Sequence, residues 1–290
     1  MRFDKNTKIL IVGLGLIGGS YAKALSDEGY FVGAIDKKKS SVEYALKNGL
    51  IRVGETSVKK DFVKDFDLIV FALYPHDFIN WIKEYQSSIK SGALITDVTG
   101  VKSFVVENVQ KILRGDLEFV GAHPMAGKEV SGVENADPKI FVGANYIVTP
   151  TKRNTDENVQ AVKDLGRALG FERISSLSPE EHDETVGFLS HLTHCIAVSL
   201  MVSKKSHHLA EYTGDSFRDL TRIAKINDEM WSELFLANKD ELLKQMDLFE
   251  EKFNQLKEDI KNDNREKIRE TLRESTARRK VFDKDAKETK

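Results

Sequence analysis

The chain has 290 residues, 40% of them hydrophobic and 31% charged. That is a length for about two domains and enough apolar residue to bury a sizeable core, so a disordered chain is excluded. Lys and Arg total 44 against 46 Asp and Glu, a net charge of −2, which excludes a strongly basic nucleic-acid binder and any general pull toward anionic membranes.

The polar start, MRFDKNTK, lacks the charged, apolar and small-residue order of a signal peptide. One cysteine, Cys195, excludes an intramolecular disulfide framework and a cysteine-only zinc site. A reduced, soluble, cytoplasmic protein with no nucleic-acid or membrane partner is expected.

Short apolar runs at 8–13 (KILIVG), 31–36 (FVGAID), 68–73 (LIVFAL), 93–98 (ALITDV), 119–123 (FVGAH) and 146–149 (YIVT) read as strands. Continuous apolar runs suit parallel strands buried on both faces. Helical segments separate several of them. One runs over 16–26 and is ended by Gly29. A second is expected to start at a capping box of Ser40 and Glu43 and to stop at Gly49. A helix over 154–169 and an edge strand over 173–176 complete the series. Strands separated by helices predict a doubly wound Rossmann-type α/β sheet.

Composition changes near residue 177. Ser178, Pro179, Glu180 and Glu181 combine a cap, a first-turn proline and two acids, a strong helix start. The stretch 185–202 (TVGFLSHLTHCIAVSLMV) is apolar enough to suggest a membrane span. Its Ser190, His191, Thr193, His194 and Ser199 would need partners in lipid, so a helix buried inside a soluble protein is expected instead. Met246, Phe249, Phe253, Leu256 and Ile260 recur every three or four residues, one apolar helical face that a symmetric dimer would bury. The charged tail after Lys261 reads as a solvated helix. Two domains follow: an α/β domain over 1–177 and an all-α domain over 178–290.

Gly13-Leu14-Gly15-Leu16-Ile17-Gly18 fits G-x-G-x-x-G between a strand and a helix, the context that makes this pattern a dinucleotide fingerprint. Gly13 permits the tight turn, Gly15 lets the backbone approach a pyrophosphate, and Gly18 allows close helix packing. The helix N-terminus at Leu16 and Ile17 supplies free N–H groups and a positive dipole for phosphate. Asp36 ends the second strand, where an acid binds ribose hydroxyls and repels a 2′-phosphate. NAD is therefore expected over NADP, although Lys37, Lys38 and Lys39 place attractive charge beside it.

His123 ends a predicted strand and opens a glycine-rich loop, at the edge where open α/β sheets bind ligands. A histidine there can exchange a proton near neutral pH, with an ordinary pKa near about 6.5. His191 and His194 share a helix face with Ser190 nearby. They either hydrogen-bond a buried ligand or form a satisfied internal polar cluster. No convincing metal site is present, since His-x-x-His has no obvious carboxylate partner. Arg218, Arg222 and Lys225 form either a carboxylate grip or a solvated helix face.

Five blocks in order, GLGLIGGS (13–20), TDVTGVKS (96–103), GAHPMAGKEVSGVE (121–134), SHLTHCIA (190–197) and FRDLTRIAKINDEMW (217–231), resemble the prephenate dehydrogenase and arogenate dehydrogenase family. The resemblance covers most of the chain to Trp231. It implies a Rossmann domain, a helical dimerisation domain and a homodimer. It also implies NAD-dependent oxidative decarboxylation of prephenate to 4-hydroxyphenylpyruvate in tyrosine biosynthesis. It places His123 as the base for the ring 4-hydroxyl and Arg222 on a substrate carboxylate. His194 and Ser190 are implied to line the substrate pocket, with Asp219 and Trp231 in supporting positions. Many members carry a serine where this chain has Gly100, and Thr99 is the neighbouring hydroxyl that would substitute. The tail offers no strands for the regulatory ACT domain that some members carry, so that domain is expected to be absent. The alternatives are arogenate oxidation, another dehydrogenase with a helical second domain, or a catalytically silent NAD sensor. The last need not retain both His123 and Arg222.

Overall fold

The computed structural model describes residues 1–205 and 208–282, so residues 206–207 and 283–290 of the expected second domain lie outside the described residues. The described residues fall into two compact units, one ending at Lys239 and the other beginning at Asp240.

In the first unit, β1 (Lys8–Val12), β2 (Phe31–Ile35), β3 (Val53–Glu55), β4 (Leu68–Phe71), β5 (Leu94–Asp97) and β6 (Glu118–Phe119) make a parallel sheet of order β3-β2-β1-β4-β5-β6. Alternation along each strand divides the core. Ile9, Ile11, Val32, Ala34, Leu68 and Val70 join the cluster on one face, while Leu10, Val12, Ile35, Ile69 and Phe71 join the cluster on the other. A sheet covered on both faces explains why these strands read as unbroken apolar runs. The connecting helices are α1 (Leu16–Asp27), α2 (Lys39–Lys47), α3 (Lys60–Val63), α4 (Pro75–Tyr85) and α5 (Ser103–Ile112). The order of strands reverses between β1 and β4, the crevice where such sheets bind nucleotides.

Two expectations are corrected, and one strand had no expectation. Ser40 lies inside α2 rather than capping it; the N-cap is Lys38, with no side-chain hydrogen bond. The edge strand β3 has no apolar run to announce it. The strand expected over 119–123 divides into β6 and β7 (Gly121–Pro124), and β7 leaves the parallel sheet to pair antiparallel with β8 (Asn145–Thr149), which pairs parallel with β9 (Arg173–Ser176). The physical reason lies at Asp97. Val120 still donates its N–H to the Ile95 carbonyl, but the next ladder donor, Ala122 N–H, goes to Asp97 Oδ1 at 3.0 Å. A side chain replaces the backbone acceptor, and the strand peels away.

The helix α6 (Asp156–Ala168) is capped by Thr155. Next, Ser178 and Glu181 form a reciprocal capping box at the start of α7 (Pro179–Val186). The chain continues as one helix through a π-helical segment, Gly187–Leu192, and α8 (Thr193–Val202). The whole, Pro179–Val202, is long and apolar enough to cross a membrane by length and composition. The expectation that it is buried within the chain is also corrected: only 28% of its most apolar window is buried, and Phe188, Leu189, Met201 and Val202 are exposed. Short helices α9 (Asp215–Thr221) and α10 (Asp228–Ala237) follow.

The second unit holds most of α11 (Lys239–Lys261) and α12 (Arg265–Arg279), joined through Asp263 in the left-handed region. Met246, Phe249, Phe253 and Ile260 are exposed on α11. No residue of α12 is buried.

A fully buried ion pair sits where β5 meets β7. Lys102 Nζ lies 2.6 Å from Asp97 Oδ2, both side chains being 0% exposed. Removing one partner of such a pair leaves an uncompensated buried charge. Lys102→Met is therefore expected to lower the unfolding free energy by about 3–5 kcal/mol, read from the urea midpoint at unchanged slope.

Candidate active site

The first cluster forms at the β1–α1 turn. Gly13 adopts φ +100°, and a Cβ there would lie 2.4 Å from the Ala72 carbonyl oxygen. At Gly18 a Cβ would lie 2.0 Å from the Gly13 carbonyl oxygen. At Gly15, the N-cap of α1, it would meet nothing within 4 Å. The first and third glycines are thus required by the chain's own packing, and the second leaves an open cradle. α1 has neither a side-chain cap nor an acid in its first turn, so the N–H groups at Leu16 and Ile17 head an uncompensated helix N-terminus suited to phosphate. Asp36 closes this cradle: its Oδ2 accepts the Leu14 N–H at 2.6 Å and its Oδ1 the Lys38 N–H at 2.7 Å. Lys39 pairs with Glu43 at 3.4 Å. These residues fit a dinucleotide.

The second cluster surrounds His123 on β7. His123 Nδ1 lies 2.8 Å from His182 Nε2, and His182 Nδ1 lies 2.8 Å from Asp183 Oδ1. The same carboxylate accepts the Lys102 and Ser103 N–H groups, each at 2.8 Å. α5 has no side-chain cap of its own, and Asp183 from α7 performs that duty across the fold. Burial holds the Asp183 carboxyl up, but the hydrogen bond and charge of His182 and the two N–H groups outweigh it, leaving its pKa below the usual value. His123 is pushed well below the ordinary histidine value by burial first, then by the charges of His182, Lys102 and His191. The expectation of a group titrating near 6.5 is corrected accordingly: His123 is neutral over a wider acid range.

The π-helical segment and α8 supply the remaining polar groups. His191 is buried, accepts from Asn238 Nδ2 at 3.3 Å, and is lowered to about 4, chiefly by burial. His194 donates from Nδ1 to the Ser190 carbonyl at 2.8 Å and stacks on Trp231 with ring centroids 3.7 Å apart. Burial also lowers His194, and the nearby Arg222 charge lowers it further. Trp231 and Leu234 are brought over the site by α10. Glu233 on that helix accepts from both the backbone N–H and Nδ1 of His76, each at 2.6 Å, and Asn227 donates to the Tyr74 hydroxyl at 3.2 Å.

Gly100 thus lies beside His123, the charge of His191 reaches His123, and His191 and His194 both pack on Trp231, with Ser190 joined to His194 through its backbone carbonyl. A Cβ on Gly100 would lie 3.5 Å from Leu234 and 3.8 Å from His123 Nε2, so a serine there is sterically admissible. Thr99 does not substitute for it. Its buried hydroxyl is engaged by Asp97 and by the Val101 carbonyl, and it accepts from Lys102 Nζ at 3.0 Å. Arg222 is exposed and paired with Glu129 of the loop after β7. Asp219 is exposed on α9. The sequence reading passed over His182, Asp183, Lys102 and Glu129. His182 and Asp183 directly follow the capping box, where a polar pair looks like an ordinary first turn, and only the return of α7 against α5 gives them partners. Among the described residues no group of three or more His, Cys, Asp or Glu is placed to hold a metal.

A nucleotide cradle at the sheet's reversal point, with a neutral histidine at a neighbouring strand end, defines a nucleotide-binding dehydrogenase. Residues 21–173 match the family described as "Prephenate dehydrogenase, nucleotide-binding domain", and residues 178–274 match "Prephenate dehydrogenase, dimerization domain". The chain belongs to the prephenate dehydrogenase family. It is 34% identical over 249 residues to a prephenate dehydrogenase of Bacillus subtilis, spanning 82% of this chain and 66% of that protein. Among solved structures it is similar to prephenate dehydrogenase from A. aeolicus in complex with hydroxyphenyl propionate and NAD+, at 34% identity and TM-score 0.87, covering 96% of this chain and 98% of that one. Arogenate dehydrogenase of Synechocystis is similar at 25% identity and TM-score 0.82, with 96% and 100% covered.

The two glycines should separate folding from binding. Gly13→Ala is expected to destabilise the fold by about 2 kcal/mol or more, through left-handed strain and contact with Ala72. Gly15→Ala should cost under about 1 kcal/mol of stability yet weaken dinucleotide binding tenfold or more, about 1.4 kcal/mol. Thermal melts and a nucleotide titration of both variants check this.

Proposed function

We propose that the protein catalyses NAD-dependent oxidative decarboxylation of prephenate to 4-hydroxyphenylpyruvate, as a soluble cytoplasmic homodimer in tyrosine biosynthesis. The observation that carries this reading is the neutral, partly buried His123, whose Nε2 faces Gly100 beside the His191–His194–Trp231 cluster. Gly13, Gly15, Leu16, Ile17 and Gly18 would hold the pyrophosphate. Asp36 would meet the ribose and disfavour a 2′-phosphate, and the engagement of Lys39 by Glu43 supports NAD over NADP.

Bound NAD supplies the acceptor for the hydride leaving C4 of the substrate ring. His123 Nε2 takes the proton of the C4 hydroxyl as that carbon becomes a carbonyl carbon. The bond to the ring carboxylate then breaks, its electron pair entering the ring, and carbon dioxide leaves. Aromatisation turns the carbonyl oxygen into a phenol oxygen, to which His123 returns the proton. A base of this kind contributes about 10²–10⁴ in rate. Arg222 would release Glu129 to pair with a substrate carboxylate, while Trp231, His194 and Ser190 would bound the pocket, with Asp219 in a supporting position. Arogenate differs from prephenate at the side-chain amine, and the same assay run with both separates the two substrates.

Appearance of NADH on adding prephenate and NAD, faster than with NADP, tests the activity. His123→Asn should lower kcat by roughly 10²-fold or more with little change in KM, and Arg222→Gln should chiefly raise KM, by about tenfold to a hundredfold. Because His123 acts as the neutral form and its pKa is depressed, kcat should hold as pH falls through 6.5. It should decline only well below that value, a limb that His123→Asn abolishes. Retained kcat in His123→Asn would overturn the assignment.

Exposed Phe188, Leu189, Met201 and Val202, and the stripe of Met246, Phe249, Phe253 and Ile260, support a second copy as the cover. Light scattering at micromolar concentration should give twice the chain mass of 32.7 kDa, and a monomer mass would refute the dimer.

A further inference from the structure

The base reading leaves His182 and Asp183 without a role, although they are among the most buried polar groups in the chain, at 0% and 2% exposed. Their hydrogen bonds have a direction. Asp183 is an acceptor toward the Lys102 and Ser103 N–H groups, and an ionised carboxylate has no proton to give. His182 Nδ1 must therefore donate to Asp183 Oδ1. A neutral His182 then has only a lone pair at Nε2, and His123 Nδ1, 2.8 Å away, must donate to it. The remaining nitrogen, His123 Nε2, is left unprotonated on the Gly100 side.

We propose that His182 and Asp183 are positioning residues: the Asp183–His182–His123 chain locks His123 in the tautomer whose Nε2 lone pair faces the pocket. This rests on the reading of His123 as the base. The chain does two things. It removes the tautomer that could not accept a proton, and it fixes the ring plane against rotation, since His182 is itself held at both nitrogens. When Nε2 takes a proton, the Nδ1–H bond to His182 strengthens, and the charge is spread toward the Asp183 carboxylate without any second proton moving. The other charged and titratable groups facing this pair are Lys102 and His191, with Asp97 beyond Lys102. Lys102 and His191 oppose a positive His123; Asp97 pairs with Lys102, and the Asp183 carboxylate supports the charge on His123 through His182.

The test uses the full-length enzyme with prephenate and NAD. His182→Leu removes the acceptor for His123 Nδ1–H. It should lower kcat by roughly tenfold to a hundredfold at nearly constant KM, and should shift the acid limb. His182→Gln can still donate an amide proton to Asp183 and accept from His123, so it should recover most of that loss. Nitrogen NMR of isotope-labelled histidine reads the tautomer without turnover: His123 should be protonated at Nδ1 in the wild type and in His182→Gln, and mixed in His182→Leu. Should His182→Leu fail to fold, the wild type and His182→Gln carry the test by NMR. Wild-type kcat and acid limb in His182→Leu, or an Nε2-protonated His123 in the wild type, would overturn the proposal. If His123→Asn itself retained activity, the base reading would fail instead; an inactive His123→Asn beside an unimpaired His182→Leu would refute only the positioning role.

Discussion

A single buried carboxylate, Asp183, ties the α/β layers to the helices that follow them. It takes the two leading N–H groups of α5, which has no cap of its own, and a histidine ring from its own helix. Each of these is a charge-assisted hydrogen bond, stronger than a neutral one, and three together offset the cost of burying the charge. Without them α5 would present bare N–H groups to the core and α7 would have no fixed approach to the sheet. The geometry of His123 depends on that approach, because the partner of its Nδ1, His182, comes from α7.

The buried Asp97–Lys102 pair does comparable work one turn away. Asp97 Oδ1 diverts the Ala122 N–H and so sends β7 out of the parallel sheet, while Lys102 balances the charge. The strand that carries His123 therefore ends in a different sheet from the one that carries the nucleotide loop. The two are held in register by side chains rather than by a continuous ladder. A neutral histidine is also the natural result of this setting. Burial is the main cause: it shifts His123, His182, His191 and His194 toward the unprotonated form, with the Lys102 charge adding to the effect at His123 and His182, and that is the form a base must have before it accepts a proton.

The helical segments meet a different constraint. The helix Pro179–Val202 buries His182, Asp183 and His191 while Phe188, Leu189, Met201 and Val202 stay exposed. The π-helical segment, Gly187–Leu192, falls where the two demands meet and carries Ser190 and His191, and local widening of the helix is a common feature of functional sites. In the proposed homodimer the exposed face is the interface, so the polar face is free for the pocket.

Local chemistry written in the sequence was enough for most of the parallel strands, the glycine turn and the Ser178–Glu181 capping box, because each depends on neighbours a few residues away. Gly13, Gly15 and Gly18 lie within one turn, and apolar runs such as LIVF need only a covered sheet. The five motif blocks identified the family for the same reason. What they could not express is distance across the fold. The Thr99 hydroxyl looked available and is consumed by Asp97 and Lys102, which are its near neighbours in sequence but become partners only once buried. Ser40 and Glu43 had the right spacing for a cap, yet α2 begins one residue before Ser40. The departure of β7 from the sheet, the Arg222–Glu129 pair across 93 residues and the His123–His182 contact across 59 were decided by tertiary structure. A hydrogen bond between distant residues leaves no periodicity, and burial, which sets the protonation of His123, is a property of what surrounds a residue rather than of its place in the chain.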